Sequence, residues 1–273
     1  MNQRWRERIG SFRRPDESIN PTRYEVAAID EDRIAKSFIQ THHYSGTYPA
    51  ARFRFGLYRG AELAGVAVFS HPTRDSVLTN VFPGRALDSV ELGRFVLLDS
   101  VEGNGETWFL SRCLQQLKAR ELRGVVSFSD PEPRQNRIDG RTVFAGHVGT
   151  IYQAGNAVHL GRGTRRSLRL LPDGRVFSAR AASKVRDGGK GWRYSAAQLE
   201  AFGAAPCPDG GGAGWLAHWL PKLTTPMRHP GNFKYAWSLH KRVVMVGASQ
   251  PYPKRGSFSV NGSQQLFSFA GGQ

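Results

Sequence analysis

The sequence predicts a mixed α/β fold of the α+β kind, with one central sheet flanked by helices and strands running in both directions. Three observations predict it. Residues 52–58 and 62–70 alternate or run apolar about the Arg59-Gly60-Ala61 turn, which is an antiparallel hairpin and argues against a doubly wound parallel sheet. Residues 90–98, 100–105, 107–120 and 124–130 read as strand, glycine turn, amphipathic helix and buried strand. Hydrophobic residues make up 40% of the 273-residue chain, enough for a packed core.

In chain order, residues 1–22 form a basic arm, with five arginines before Pro15, expected to order on binding. Residues 24–29 are a short strand. Residues 30–40 are a helix with Asp30 as N-cap and acids in the first turn. The hairpin follows, then the β-branched strand 90–98. In residues 107–120, Trp108, Phe109, Cys113, Leu114 and Leu117 fall on one helical stripe. The strand 124–130 ends at Asp130. Residues 131–150 carry Pro131, Pro133 and several arginines and read as a mobile loop. Residues 149–154 are a short helix, and 168–178 two strands about Pro-Asp-Gly. Glycine-rich linkers are expected at 187–191 and 208–214. Residues 234–246 give a last strand and turn, and the tail from Ala248 is expected to be poorly ordered. The implied division is an arm (1–22), a core (23–185), a glycine-linked C-terminal extension completing the sheet (186–247) and a flexible tail (248–273).

The net charge of +16 points to a polyanionic partner. No apolar run is long enough for a membrane span, and the N-terminus lacks the apolar region of a secretory signal, so a cytoplasmic protein without a membrane partner is expected. Cys113 and Cys207 lie far apart, outside any Cys-x-x-Cys pair. That argues against a zinc ribbon or a disulfide framework, and no metal site is evident.

The element order, ending in a helix that carries Tyr152, resembles the GNAT superfamily of N-acetyltransferases. Their diphosphate-binding turn runs Gln/Arg-x-x-Gly-x-Gly/Ala. The matching stretch is Ser100-Val-Glu-Gly103-Asn104-Gly105, with both glycines in place and the first position changed. The resemblance makes Gly103, Asn104 and Gly105 the cofactor-binding turn. Asp99, Glu102 and Glu106 crowd it with negative charge, which repels a diphosphate. Within that superfamily the chain is similar to the phage Mom family of DNA-modification proteins over residues 25–245. The landmarks are His43-Tyr44-Ser45-Gly46, Arg94, Ser127 to Asp130, and Gly149-x-Ile-Tyr152-Gln-Ala. The resemblance implies transfer of a carbamoylmethyl group to the exocyclic amine of adenine, which protects phage DNA from restriction.

On that reading His43 shuttles a proton, and Tyr44 stacks on a flipped base or donates a hydrogen bond. Alternation puts Arg94 on one face with Leu92, Val96 and Leu98, where it needs a partner; a pair with Asp130 is expected. Asp130 is the base, Ser127 a hydrogen-bond donor, and Tyr152 the superfamily's leaving-group acid. Each has a plainer alternative: a polar turn for His43 and Tyr44, a structural ion pair for Arg94, a cap for Asp130, a packing ring for Tyr152. Arg165, Arg166, Lys184, Lys222 and Lys234, with Tyr235 and Trp237, are expected to hold DNA by phosphate contacts and stacking, the alternative being an edge strand with solvated cations.

The partner implied is double-stranded DNA with a flipped adenine. A carbamoylmethyl group carries two carbons and a nitrogen, which an acetyl donor cannot supply. An activated glycine, such as glycyl-tRNA, is therefore favoured over acetyl-coenzyme A, with a charged tRNA as second partner. The competing readings are an acetyltransferase for another substrate and a non-catalytic DNA-binding protein.

Overall fold

The structure is a computed structural model that describes residues 2–14 and 16–254. An N-terminal hairpin, β1 (Asn2–Arg6) and β2 (Ile9–Arg13), precedes a one-turn 3-10 helix at Pro21–Arg23. Then come β3 (Glu25–Ala28), α1 (Asp32–His42), β4 (Ala51–Arg59), β5 (Glu62–Ser70), α2 (Ser76–Thr79), β6 (Ser89–Leu97), α3 (Gly105–Ala119) and β7 (Gly124–Ser129). A small hairpin of β8 (Arg134–Gln135) and β9 (Thr142–Phe144) leads to α4 (Thr150–Ala154) and β10 (Val158–Arg162). β11 (Arg166–Leu170), β12 (Val176–Phe177), α5 (Ala179–Asp187), α6 (Trp192–Glu200), α7 (Ala213–Leu223) and β13 (Thr225–His229) follow, and β14 (Phe233–Ser238) comes last.

The central sheet has seven strands in the order β10-β14-β7-β6-β5-β4-β3. β6 and β7 pair in parallel and the other neighbours antiparallel, so the sheet is mixed, as the hairpin and the α3 crossover predict. β5 is a central strand, and its period-two alternation feeds two cores. Ala67 and Phe69 pack toward α3 with Phe109, Leu110, Cys113 and Leu117. Val66 and Val68 pack toward α1 with Ala35, Phe38 and Ile39.

The chain between β10 and β14 departs from expectation. The stretches read as glycine linkers, 187–191 and 208–214, do connect elements, but what they connect is three helices, α5, α6 and α7, that were not expected. These helices bury Ala181, Val185, Ala196, Leu199 and Leu216 with Leu171 and Phe177 of the three-stranded β12-β11-β13 sheet. Glycines mark the ends of these short helices rather than slack chain: Gly188 caps α5 and Gly191 opens α6. Residues 166–229 thus form an insert with its own apolar core, and a boundary after residue 185 would cut α5. The insert's ends meet, with the Gly163 N–H donating to the Asn232 carbonyl at 2.8 Å.

Two further segments differ. The basic arm forms the β1–β2 hairpin, because its arginines find acids within the chain: Arg6 pairs with Asp99 at 2.7 Å, Arg23 with Glu102 at 3.2 Å, and buried Arg4 with Glu106. Of the tail expected to be poorly ordered, residues 248–254 cover the β10 edge. The Gln250 N–H donates to the His159 carbonyl and the Tyr252 hydroxyl to the Ala157 carbonyl, both at 2.9 Å. Residues 255–273 lie outside the described residues. No helix among the described residues is long and apolar enough to cross a membrane.

Candidate active site

The site begins with one extra residue. Val68 faces Arg94 across the β5–β6 ladder, but Phe69 faces Leu92, so Gly93 is a bulge. The bulge breaks the expected common face. Leu92 packs on the α3 side, while Arg94 turns to the α1 side with Val96 and Leu98. Parallel pairing with β7 also ends here, at Leu92 and Ser127. Beyond that point β6 and β7 run unpaired, and a cavity of about 120 Å³ opens along Gly93–Leu97 and Phe128. Trp5, His43, Tyr44, Glu106, His147 and Tyr152 complete its walls.

Three of the six expected catalytic side chains, His43, Tyr44 and Tyr152, line this opening. The Arg94 guanidinium is anchored by the Thr47 carbonyl at 2.8 Å, the Thr47 hydroxyl at 2.6 Å and the Gly93 carbonyl. Its charge acts on Tyr44 and His43. Tyr152 reaches the opening from the α3 side, so the gap joins groups from both faces of the sheet.

His43 is buried, and burial together with the nearby Arg94 and His147 charges holds its imidazole well below the ordinary value. The Ser45 backbone N–H, at 3.2 Å, donates to Nδ1, so the proton of the neutral ring sits on Nε2. His43 is therefore built as a hydrogen-bond donor. Tyr44 cannot serve as a stacking platform. Its ring lies against Phe144 at 4.3 Å and 23°, and against Trp5 at 5.3 Å. The hydroxyl remains available, with burial raising its pKa. Burial also raises Tyr152, the Ser127 hydroxyl pulling the other way. Ser127 is fully buried and donates to the Leu92 carbonyl at 3.0 Å, so it braces the point where the strands part.

The expected Arg94–Asp130 pair does not form, because the bulge turns Arg94 toward Thr47. Asp130 instead accepts from Arg134 at 2.7 Å, from His229 Nε2 at 2.9 Å and from the Glu132 N–H at 3.0 Å. The Gly231 N–H donates to His229 Nδ1 at 3.0 Å, which leaves the His229 proton on Nε2, facing Asp130. Burial pushes the Asp130 carboxyl up, but Arg134, His229 and the backbone donor hold it below its ordinary value. A carboxylate so satisfied is a poor proton acceptor. Its geometry is that of a clasp joining β7, β8 and β13.

Sequence reasoning missed several groups. Glu91 shares the face of Arg94, since the bulge restores the alternation between them. Burial raises its pKa against the pull of Arg94, and it acts electrostatically on Tyr152. Glu106, His147 and Trp5 line the cavity, and His229 arrives from a strand distant in sequence. The β1 and β13 contributions could not be read locally. The run of alternating apolar residues around Glu91 was the only signal for that carboxyl.

The glycine turn opens α3 as expected, with Asn104 at φ 61°, but the chain's own N-terminal segment lies on it. The Ile19 N–H donates to the Gly103 carbonyl at 2.9 Å, and a Cβ at Gly103 would stand 2.1 Å from the Glu17 carbonyl oxygen. Arg4 takes the Val101 carbonyl at 3.0 Å and also the Glu102 carbonyl and Glu106. The acids that crowd the turn are thus paired with arginines. These residues do not fit a diphosphate.

On the expected DNA surface, Tyr235 and Trp237 are core residues. β14 lies inside the sheet, between β10 and β7. The Tyr235 hydroxyl donates to the Val148 carbonyl, and the Trp237 indole N–H to the Gly155 carbonyl at 2.7 Å. Both rings pack on Tyr152. Arg165, Arg166 and Lys222 are exposed, and Lys184 and Lys234 half-buried. Arg166 reaches Asn232 at 2.9 Å, and Lys222 lies over the Trp219 ring at 5.6 Å. Among the described residues no group of three or more His, Cys, Asp or Glu side chains could hold a metal ion.

The sequence profile of the Mom protein family matches residues 23–205. No curated protein matches the chain. Similar solved structures include an acetyltransferase from Bacillus subtilis in complex with coenzyme A, at 10% identity and TM-score 0.32, over 79% of this chain and 97% of that one. A probable acetyltransferase from Staphylococcus epidermidis has 7% identity and TM-score 0.33, over 79% and 98%. A tandem GNAT protein from the clavulanic acid biosynthesis pathway has 7% identity and TM-score 0.41, over 80% and 99%.

Proposed function

The chain belongs to the Mom protein family, and from that premise we propose that it transfers an activated glycyl group to the exocyclic amine of adenine in DNA, where it ends as a carbamoylmethyl group. Membership of the family implies a transferase for phage DNA adenine. The observation that carries the finer reading is the convergence of His43, Tyr44 and Tyr152 on one cavity where β6 and β7 part, with the Arg94 charge acting on all three.

The amine of adenine is a weak nucleophile stacked in the duplex, so the base is flipped and oriented first. Its nitrogen attacks the glycyl carbonyl carbon, and the bond from that carbon to the leaving oxygen breaks. Arg94, which keeps N–H groups beyond those bound to Thr47 and Gly93, and His43 through Nε2–H stabilise the carbonyl oxygen. Glu91, its proton affinity raised by burial, takes the proton from the attacking nitrogen. Tyr44 orients the base amine through its hydroxyl. Asp130 positions the surrounding loops.

Tyr152 supplies the proton to the leaving oxygen. Its raised pKa suits an alkoxide, whereas a thiolate, with a pKa of about 8.5, would have to take a proton from a far weaker acid. That favours an aminoacyl ester over a thioester. The covered glycine turn supports the same choice. Once attached, the glycyl amine attacks the ring carbon that bears the original nitrogen, closing a five-membered ring. The bond from that carbon to the original nitrogen then breaks. That nitrogen takes up a proton and becomes the terminal amide.

The test is incubation of the protein with duplex DNA and isotope-labelled glycyl-tRNA, followed by mass spectrometry of the nucleosides. The label is expected in carbamoylmethyl adenine, and a nitrogen label placed on the base amine is expected in the terminal amide. Transfer from acetyl-coenzyme A with none from glycyl-tRNA would overturn the reading.

A further inference from the structure

Among the described residues that line the cavity, one buried carboxylate oxygen has no partner. Glu106 sits in the first turn of α3, where the helix dipole favours a carboxylate, and its residue is only 3% exposed. Arg4 takes Oε1, while Oε2 is buried and has no hydrogen-bond partner among the described residues. Buried carboxylate oxygens are seldom left so. This one belongs to a side chain that lines the cavity, as Tyr152 does.

We propose that Glu106 Oε2 is the docking point for the free amine of the acyl donor, so that the cavity selects an α-aminoacyl group. The proposal rests on the reading given above and names the feature of the donor that is recognised. An acetyl group has no N–H to offer this oxygen, whereas a glycyl group carries its amine one carbon from the carbonyl. With the amine at Glu106, the carbonyl is directed toward the rest of the lining, where Tyr152 and His43 lie. Trp5, Phe95 and Phe128 enclose the same space. Aromatic faces hold an ammonium well and limit the room beside the α-carbon, which disfavours side chains. Arg4 takes Oε1 and the donor amine takes Oε2, so one carboxylate is shared between two donors.

The probes are stable analogues of an aminoacylated tRNA end: 3′-glycylamino-adenosine and its N-acetylglycyl counterpart, which lacks the basic amine. The wild-type chain is expected to bind the first at least about tenfold more tightly, since acetylation removes the ammonium charge that the carboxylate receives and adds bulk beside the α-carbon. Glu106→Gln replaces the acceptor by an NH₂ donor and is expected to abolish the preference without changing affinity for DNA. Equal binding of both probes by the wild type overturns the proposal, whether or not the variant folds; so does a preference retained in a folded Glu106→Gln protein. Discrimination without any transfer to DNA would defeat the function reading and leave this site standing. Equal transfer from glycyl and N-acetylglycyl donors would do the reverse.

Discussion

At Asp130, side-chain identity and role come apart. An aspartate at the end of a core strand reads as a base, yet three donors hold it as a structural anion. Its carboxyl titrates below the ordinary value, so the unfolded chain binds more protons between the native value and about pH 4. Asp130 therefore contributes stability that is complete above about pH 4 and lost as pH falls through the native value. Asp130→Asn is expected to cost about 2–3 kcal/mol at neutral pH, as Arg134 and His229 lose a charged acceptor. It should also flatten the acid limb of the stability curve, measured by urea unfolding across pH. An unchanged acid limb would mean that the clasp is not made in solution. His43, Tyr44 and Tyr152, which line the cavity, could be singled out in sequence because each stands in a short local pattern. Glu106 and His229 could not, since their meaning comes from partners about a hundred residues away in sequence, with β1 meeting Glu106 and β13 carrying His229 to Asp130.

Among the elements, β3 to β7 were read nearly to their ends from alternation and apolar runs, as was α3 from its apolar stripe, whereas the edge strand β10 was not read at all. The failures share a cause. Alternation fixes which residues share a face only while the ladder is regular, and Gly93 adds a residue that reverses the parity. In β14, aromatic and basic residues alternate in a way that suits either a DNA-facing edge or an internal strand; pairing with both β7 and β10 decides it. The N-terminal hairpin is the third case. A run of arginines looks like a polyanion tether, but the acids around Gly103 answer it within the chain. Gly103→Ala would drive a methyl group into the Glu17 backbone. The expected cost is about 1–3 kcal/mol, with faster hydrogen exchange and earlier proteolysis over the segment from Arg14 to Asn20. If that segment stays protected in the variant, its packing on the turn is not what orders it.

For the molecule as a whole, charge is the dominant property. Many arginines are spent on internal pairs, and since each pair cancels one charge of either sign, the formal +16 is the cationic excess left to the rest of the molecule. The insert, with ten basic and four acidic residues over 166–229, carries much of what remains. Replacing Arg165, Lys184 and Lys222 by glutamine is expected to weaken duplex binding uniformly across sequences. The slope of log affinity against log salt should fall by about one for every phosphate that is no longer neutralised. Thermal stability should stay within about 0.5 kcal/mol, as these groups lie outside the apolar cores. A salt slope identical to wild type would place the DNA elsewhere. Composition pointed to a polyanionic partner at once, whereas the three-helix insert that gathers many of the cations was hidden among glycines.

That insert departs and returns through a pair of neighbouring strands whose backbones touch at Gly163 and Asn232. A block attached by so narrow a neck can be lengthened, trimmed or traded between relatives while the seven-stranded scaffold keeps its register. Changes in its size or surface charge would then leave the strands that part at Gly93 in place.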